Sequence, residues 1–333
     1  MASISVCMIV KNEEKNLEAC LTCLKDIADE ILIADTGSTD ATKEIAARFT
    51  DKIYDFAWTG SFSDARNFIF SKAKMDYIYS ADADERLDEE NIQRFLQVKK
   101  TLLPEIEIVQ MYYCNQLAHN TIYNFDKEYR PKLFKRVRNF VWQEKIHEQV
   151  QLEPVIYDSE IEIIHQPDGN HAKRDLAVFA SMITNKEELS KRLCEIYAKE
   201  LLIAGDEEDF AAAGTYFSNL ADKEGLSEDE IKQASLVAAR YYRYQKETSS
   251  FFKYALRVTA CGGCSEMCCE IGEYYFDMED YKEASMWFYN AVYETQPLLN
   301  IRSGKEIPLK YLSECMAKLG LKEEAENYRH LAE

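Results

Sequence analysis

The strongest constraint on this chain is an alternation in its first third. A short apolar run gives way to a stretch of helical period, then to another apolar run, with polar, acid-rich turns between them. Residues 4–10 (ISVCMIV) read as a buried strand, residues 17–24 repeat apolar side chains at helical spacing, and residues 30–34 (EILIA) are strand again. Residues 39–49 then read as helix, 53–56 as extended chain, 62–73 as helix and 77–80 as a further strand. Strands separated by helices run the same way, because each crossover returns the chain to the starting edge of the sheet. The expected architecture is an α/β domain with a largely parallel sheet covered on both faces. Open parallel sheets gather their ligands at the C-terminal ends of the strands, so the turns that follow the strands are where chemistry is expected.

Beyond residue 105 the pattern changes to strands without long helices, at 106–113, 133–137 and 160–164 (EIEII). A glycine-containing loop at 166–170 then opens a region that is helical nearly to the end, which sets the expected domains at 1–168 and 169–333. Within the second, Ile271-Gly272 and Tyr275, then Ala284, Phe288 and Ala291, with Pro297 closing the stretch, match the small and large positions of a tetratricopeptide helical hairpin. Phe210, Ala213 and Phe217 repeat the second-helix pattern upstream, and Leu319-Gly320 with Glu323-Glu324-Ala325 repeats it downstream. Roughly three hairpins are expected, since each needs a neighbour to bury its apolar face. They serve either as a prop for the first domain or as a groove for an acceptor or partner.

Composition narrows the function classes. The net charge of −19 is spread over both halves, with 20 basic against 30 acidic side chains in residues 1–168. A phosphate backbone is gripped by clustered basic surface, so nucleic-acid binding is not expected, nor is attraction to an anionic membrane. No run approaches the ~18 apolar residues of a membrane span, and residues 1–6 (MASISV) lack a secretory pattern. The ten cysteines then read as reduced thiols of a soluble cytoplasmic protein. Cys261-Gly262-Gly263-Cys264 with Cys268-Cys269 has no second pair at zinc spacing, so the double glycine is read as a turn between helices.

Two turns carry candidate chemistry. The strand ending at Ser80 runs into Ala81-Asp82-Ala83-Asp84-Glu85, and two carboxylates one residue apart at a sheet edge can share a divalent ion that bridges a diphosphate. An earlier strand ends in Asp35-Thr36-Gly37-Ser38-Thr39-Asp40, where Gly37 permits a tight turn and Ser38, Thr39 or Asp40 can cap the next helix. Helix capping accounts for the polar residues of both turns but does not require Asp35.

With Val10-Lys11-Asn12-Glu13-Glu14 after the first strand and Phe62-Ser63-Asp64-Ala65-Arg66-Asn67 before the fourth, four motifs stand in register over about the first half of the chain. Together they closely resemble the family 2 glycosyltransferases of the GT-A (Rossmann-like) fold. The resemblance implies that Asn12, Glu13 and Asp35 hold the uridine part of a sugar nucleotide. It places Asp82 near the ribose and metal, Asp84 as the direct ligand of manganese or magnesium, and Arg66 beside the diphosphate. Metal and arginine would there stabilise the charge that gathers on the leaving nucleoside diphosphate. Residues 142–148 (WQEKIHE), after Lys132-Leu133-Phe134-Lys135-Arg136, resemble a segment of one branch of the family, which nominates Glu148 as the base of an inverting transfer and Asp126 as a weaker candidate. His165, at the end of an apolar run, is the expected third metal ligand beside Asp84 and Asp82.

The resulting expectation is a metal-dependent hexosyltransferase that moves a sugar from a nucleotide sugar, UDP-linked by resemblance, to a peptide or protein side chain. The layout resembles S-glycosyltransferases of glycosylated bacteriocins and also transferases acting on surface-polysaccharide precursors, which keeps a saccharide acceptor as the alternative. A catalytically silent peptide-binding repeat protein would have shed Asp35, Asp82, Asp84 and Glu148, yet all are present. A nucleotidyltransferase would carry a basic, glycine-rich loop where this chain has Lys11-Asn12-Glu13-Glu14.

Overall fold

The computed structural model describes residues 1–114, 127–150, 154–166 and 172–332, and the chain divides into two compact units, Met1–Asn170 and His171–Glu333. The first runs β1 (Ile4–Val10), α1 (Leu17–Leu24), β2 (Glu30–Asp35), α2 (Thr42–Ala46), β3 (Ile53–Asp55), α3 (Phe62–Phe70) and β4 (Tyr77–Ala81). It continues with β5 (Glu85–Arg86), α4 (Glu89–Thr101), β6 (Ile108–Cys114), β7 (Glu128–Lys135), β8 (Trp142–Gln143), β9 (Gln149–Val150) and β10 (Ile156–His165).

Among the described residues, eight strands form one sheet in the order β3-β2-β1-β4-β7-β6-β10-β5. β1 is parallel to β2 and β4, and β2 to β3. β7 runs antiparallel to both β4 and β6, so β6 points the same way as β4; β10 is parallel to β6, and β5 closes antiparallel on β10. The C-terminal ends of β1, β2, β3, β4, β6 and β10 therefore meet at one edge.

Alternation along β1 sends Ile4, Val6, Met8 and Val10 to the face covered by Leu17, Leu21 and Leu24 of α1, Ile45 of α2 and Phe95 of α4. Cys7 joins Leu32, Ile69 and Phe70, Ile78, Phe134 and Trp142 on the other face, which α3 covers. A fully buried aliphatic or aromatic side chain contributes about 1.5–3 kcal/mol, so the two layers together fix the sheet.

The polar turns trim the expected helices. The helix expected at 39–49 begins only at Thr42, because the Asp40 carboxylate accepts from Thr42 N (3.0 Å) and from its hydroxyl (2.5 Å). β7 begins at Glu128, well before residue 133, and crosses Pro131. Opposite it the register slips between Val109 and Gln110, with Val109 facing Leu133 and Gln110 facing Pro131. Lys132 is the extra residue of this bulge, a device that re-aims a side chain.

The second unit contains α5 (Ala172–Thr184), α6 (Lys191–Ala204), α7 (Glu207–Ala221), α8 (Glu228–Tyr244) and α9 (Thr248–Ala260). It ends with α10 (Ser265–Asp277), α11 (Tyr281–Tyr293), α12 (Glu306–Lys318) and α13 (Lys322–Ala332). α7 packs along α8 and α8 along α9, while α10, α11, α12 and α13 pack in sequence, so the stack is more continuous than three separate hairpins. A Cβ at Gly272 of α10 would stand 2.7 Å from the Phe288 ring of α11, the small-against-large contact expected of a tetratricopeptide hairpin. Gly214 of α7 makes the same approach to Tyr241 of α8, where a Cβ would stand 2.1 Å from the ring.

The double glycine lies in the turn between α9 and α10, with φ of +89° at Gly262 and +71° at Gly263. Burial pushes the thiols of Cys264, Cys268 and Cys269 up, which suits packing rather than metal binding. Among the described residues no helix is long and apolar enough to cross a membrane.

Candidate functional site

β4 delivers the acidic turn to the sheet edge, and β5 carries it onward to pair with β10. His165 stands opposite Glu85 and Ile164 opposite Arg86 in that ladder, and Gln166 N–H donates to the Asp84 carbonyl at 2.9 Å. Asp84 and His165, far apart in sequence, thereby meet: Oδ2 of the one lies 3.1 Å from Nε2 of the other. The His165 ring also leans on Tyr113 of β6, with centroids 5.0 Å apart.

Asp82, one residue from Ala81 at the end of β4, faces a different set of groups. Its Oδ1 accepts from Arg66 of α3 at 3.1 Å, and its Oδ2 lies 3.6 Å from the Lys132 ammonium. Burial alone would push this carboxyl up, but the two cations outweigh it and hold it well below the usual carboxylate range. Glu85 closes the turn from beneath, accepting from Lys132 Nζ at 2.6 Å and from Asp82 N–H at 3.3 Å. Here burial wins over Lys132. With Asp82 and Asp84 adding repulsion, the Glu85 carboxyl is pushed up to about 8 and keeps its proton through much of the neutral range.

Two further turns face the same edge. Asp35, at the end of β2, is 3% exposed and accepts from the N–H groups of Gly37 and Ser38 at 3.1 Å each. Gly37 takes φ of +102°, which a side chain would resist. Asn12 follows β1 with φ of +55° and accepts from Thr39 N–H at 2.8 Å, while its own N–H donates to Ser38 Oγ at 2.9 Å. Glu13 N–H donates to Thr42 Oγ1 at 2.7 Å, and the Glu13 carboxylate accepts from Asn16 at 3.4 Å. The loops after β1 and β2 are thus sewn into a single wall.

Arg66 joins the fourth motif to residues 142–148. Its NH1 donates to Ser80 Oγ at 2.7 Å, its NH2 to Asp82, and its Nε forms an ion pair with Glu148. The Trp142 ring covers the guanidinium at 5.1 Å. Arg66 and Glu148, assigned separate roles by resemblance, are therefore partners in this structure. Asp126 lies outside the described residues.

The donor set at the acidic turn fits a divalent ion. A carboxylate oxygen and an imidazole nitrogen that already approach to 3.1 Å suit manganese, and Asp82, held by Arg66 and Lys132, stands within the same turn. Sequence reasoning missed Lys132, Glu85, Ser80 and Trp142 as members of the cluster. The one available signal was Pro131, whose missing N–H marks a break in the ladder just ahead of Lys132.

A mixed sheet with its acidic turns gathered at the C-terminal ends of β1, β2 and β4 is the GT-A type of architecture. Residues 5–152 match Glycosyl transferase family 2. The chain is similar to glycosyltransferase SunS of Bacillus phage SPbeta, with 37% identity over 102 residues, 30% of this chain and 24% of that protein. It is also similar to a TPR repeat-containing protein of Synechococcus elongatus, 44% identical over 87 residues, 26% of this chain and 22% of that relative. The chain thus spans about a quarter of the length of these curated relatives. A solved structure of glucosyl-3-phosphoglycerate synthase from Mycobacterium tuberculosis with Mn2+, uridine diphosphate and glucosyl-3-phosphoglycerate matches 57% of this chain and 82% of that one. At 13% identity and a TM-score of 0.39, the likeness is too loose for its ligands to be carried across.

Proposed function

We propose that this chain transfers a sugar, with inversion, from a UDP-linked nucleotide sugar to a peptide or protein side chain. The carrying observation is the meeting of Asp84 with His165 at the sheet edge that also holds Asp82, Asp35 and Asn12. Asp84 and His165 would hold manganese or magnesium, with Asp82 beside it, and such an ion supplies charge stabilisation to the departing diphosphate. The wall made by Asn12, Glu13 and Asp35 would seat the base and ribose. Arg66 would meet the diphosphate through its guanidinium. Glu148 would accept the proton of the attacking acceptor group on the face opposite the leaving group.

The helical stack, with its tetratricopeptide-type contact at Gly272 and Phe288, supports a peptide or protein as acceptor over a saccharide precursor. The test incubates the protein with manganese and a panel of nucleotide sugars, and follows nucleotide release with and without candidate acceptor peptides. Release with one donor, stimulated by peptide, is expected; no turnover and no metal-dependent nucleotide binding with any donor would overturn the reading. Asp84→Ala should lower metal-dependent turnover by about 10²-fold or more, as loss of a main charge-stabilising group does. Full activity of that variant would show that the metal lies elsewhere.

A further inference from the structure

We propose that Arg66 is a latch on Glu148, holding this carboxylate out of use until the diphosphate of the donor claims the guanidinium. The inference rests on the transferase reading above. A carboxylate bound to a guanidinium has its lone pairs engaged and is a poor proton acceptor; the same carboxylate released is a competent one.

Three observations carry it. Arg66 has little freedom, because Ser80 and Asp82 fix two of its nitrogens from β4 and its adjoining turn, while the Trp142 ring lies across its face. Glu148 completes the set through Nε, and both side chains are largely buried, at 14% and 11% exposure. Asp82 and Glu148 already stand on Arg66, so a diphosphate that takes the Nε edge of the guanidinium does so in place of Glu148.

Of the two carboxylates on Arg66, Glu148 is the one built to leave. Asp82 sits in a turn tied to the sheet through β4 and β5. Glu148 hangs on a short excursion between β8 and β9, in which Glu144 (φ +69°) and His147 (φ +48°) both take left-handed backbone. Such non-glycine conformations are costly and mark segments poised between arrangements. The excursion is pinned near its middle by the Phe62 N–H, which donates to the Lys145 carbonyl at 2.9 Å. With Lys145 held there and Ile146 buried at 2% exposure, the Glu148 carboxylate leaves Arg66 by rotation of its own side chain, which loosens the segment that Arg66 had held. Donor binding and exposure of the base then become one event, and the acceptor meets an active carboxylate only when the donor is in place.

The test measures affinity rather than turnover. Uridine diphosphate with manganese is titrated calorimetrically into the full chain and into Glu148→Gln and Glu148→Asp. If Glu148 competes for Arg66, the glutamine variant binds the nucleotide about tenfold tighter than the wild type, the equivalent of removing one partly buried ionic competitor. The shorter aspartate should fall between. In parallel, hydrogen exchange of residues 144–148 in the wild type should speed up when nucleotide is added.

Equal or weaker nucleotide affinity in Glu148→Gln, or slower exchange of that segment on nucleotide addition, would overturn the latch while leaving the transferase reading intact. A wild type that binds no nucleotide in the presence of metal would overturn both. The exchange measurement uses the unaltered chain, so the outcome does not depend on the variants folding.

Discussion

Lys132 shows how a single backbone irregularity decides what a side chain does. The bulge opposite Val109 and Gln110 sets its ammonium against Glu85 and Asp82, where it is 5% exposed. Its partner Glu85 holds its proton up to about pH 8, while an unfolded glutamate releases it near 4.5. Between those values the folded state binds the extra proton, so this residue makes stability fall as pH rises from about 4.5 to 8 and has no further effect above. Glu85→Gln removes that slope. Its melting temperature should gain on the wild type steadily from pH 5 to pH 8, as thermal unfolding monitored by circular dichroism would show; a constant gap would mean that Glu85 is ionised throughout. None of this was legible from Asp84-Glu85 as letters, because the burial comes from a ladder with β10 some 80 residues on.

At the scale of elements, the two glycine contacts in the helical unit carry clear mechanical content. Gly272→Ala forces a methyl group to within 2.7 Å of Phe288, so α10 and α11 must separate or the ring must turn. The expected loss is about 1–3 kcal/mol, read as a lower melting temperature or urea midpoint, and a neutral result would show that the ring moves aside freely. Much at this scale could be read in advance. β1 and α1 fall at the positions their apolar spacing predicts, and Gly272 with Phe288 was recognisable by repeat spacing. What escaped were β5, β8 and β9, each of two residues, too short for any period to register and held only by their tertiary partners. α4 also passed unread. Its sequence, EENIQRFLQVKKT, buries only Asn91, Phe95 and Lys99, too thin a stripe to stand out from a polar surface helix.

For the whole molecule, a net charge of −19 sets the terms on which an anionic ligand arrives. The long-range field repels a nucleoside diphosphate, and added salt shortens that field, with a Debye length falling from ~30 Å at 0.01 M to ~8 Å at 0.15 M. Association of the metal-bound nucleotide should therefore quicken a few-fold between those salt concentrations, the reverse of the usual steering effect. Stopped-flow binding at fixed metal would check this, and slowing with salt would show that Arg66 and Lys132 dominate the approach.

The candidate site was legible in part at this scale, because strand and helix alternation sends Asn12, Asp35 and Asp82 to one edge whatever the details. The Arg66–Glu148 pair was not, since nothing in local spacing brings residue 148 back to α3.

The stitching of the turn at residues 82–84 has one more consequence. Anchored to β4 on one side and to β10 through β5 on the other, with Gln166 N–H closing on the Asp84 carbonyl, this rim is a fixed doorpost rather than a door. On the proposed function, a donor would meet a rim that keeps its place there, while residues 144–148, joined to it through Arg66, stand in less settled backbone. The rate at which spent nucleotide departs would then be read in that segment rather than in the acidic motif that first draws the eye.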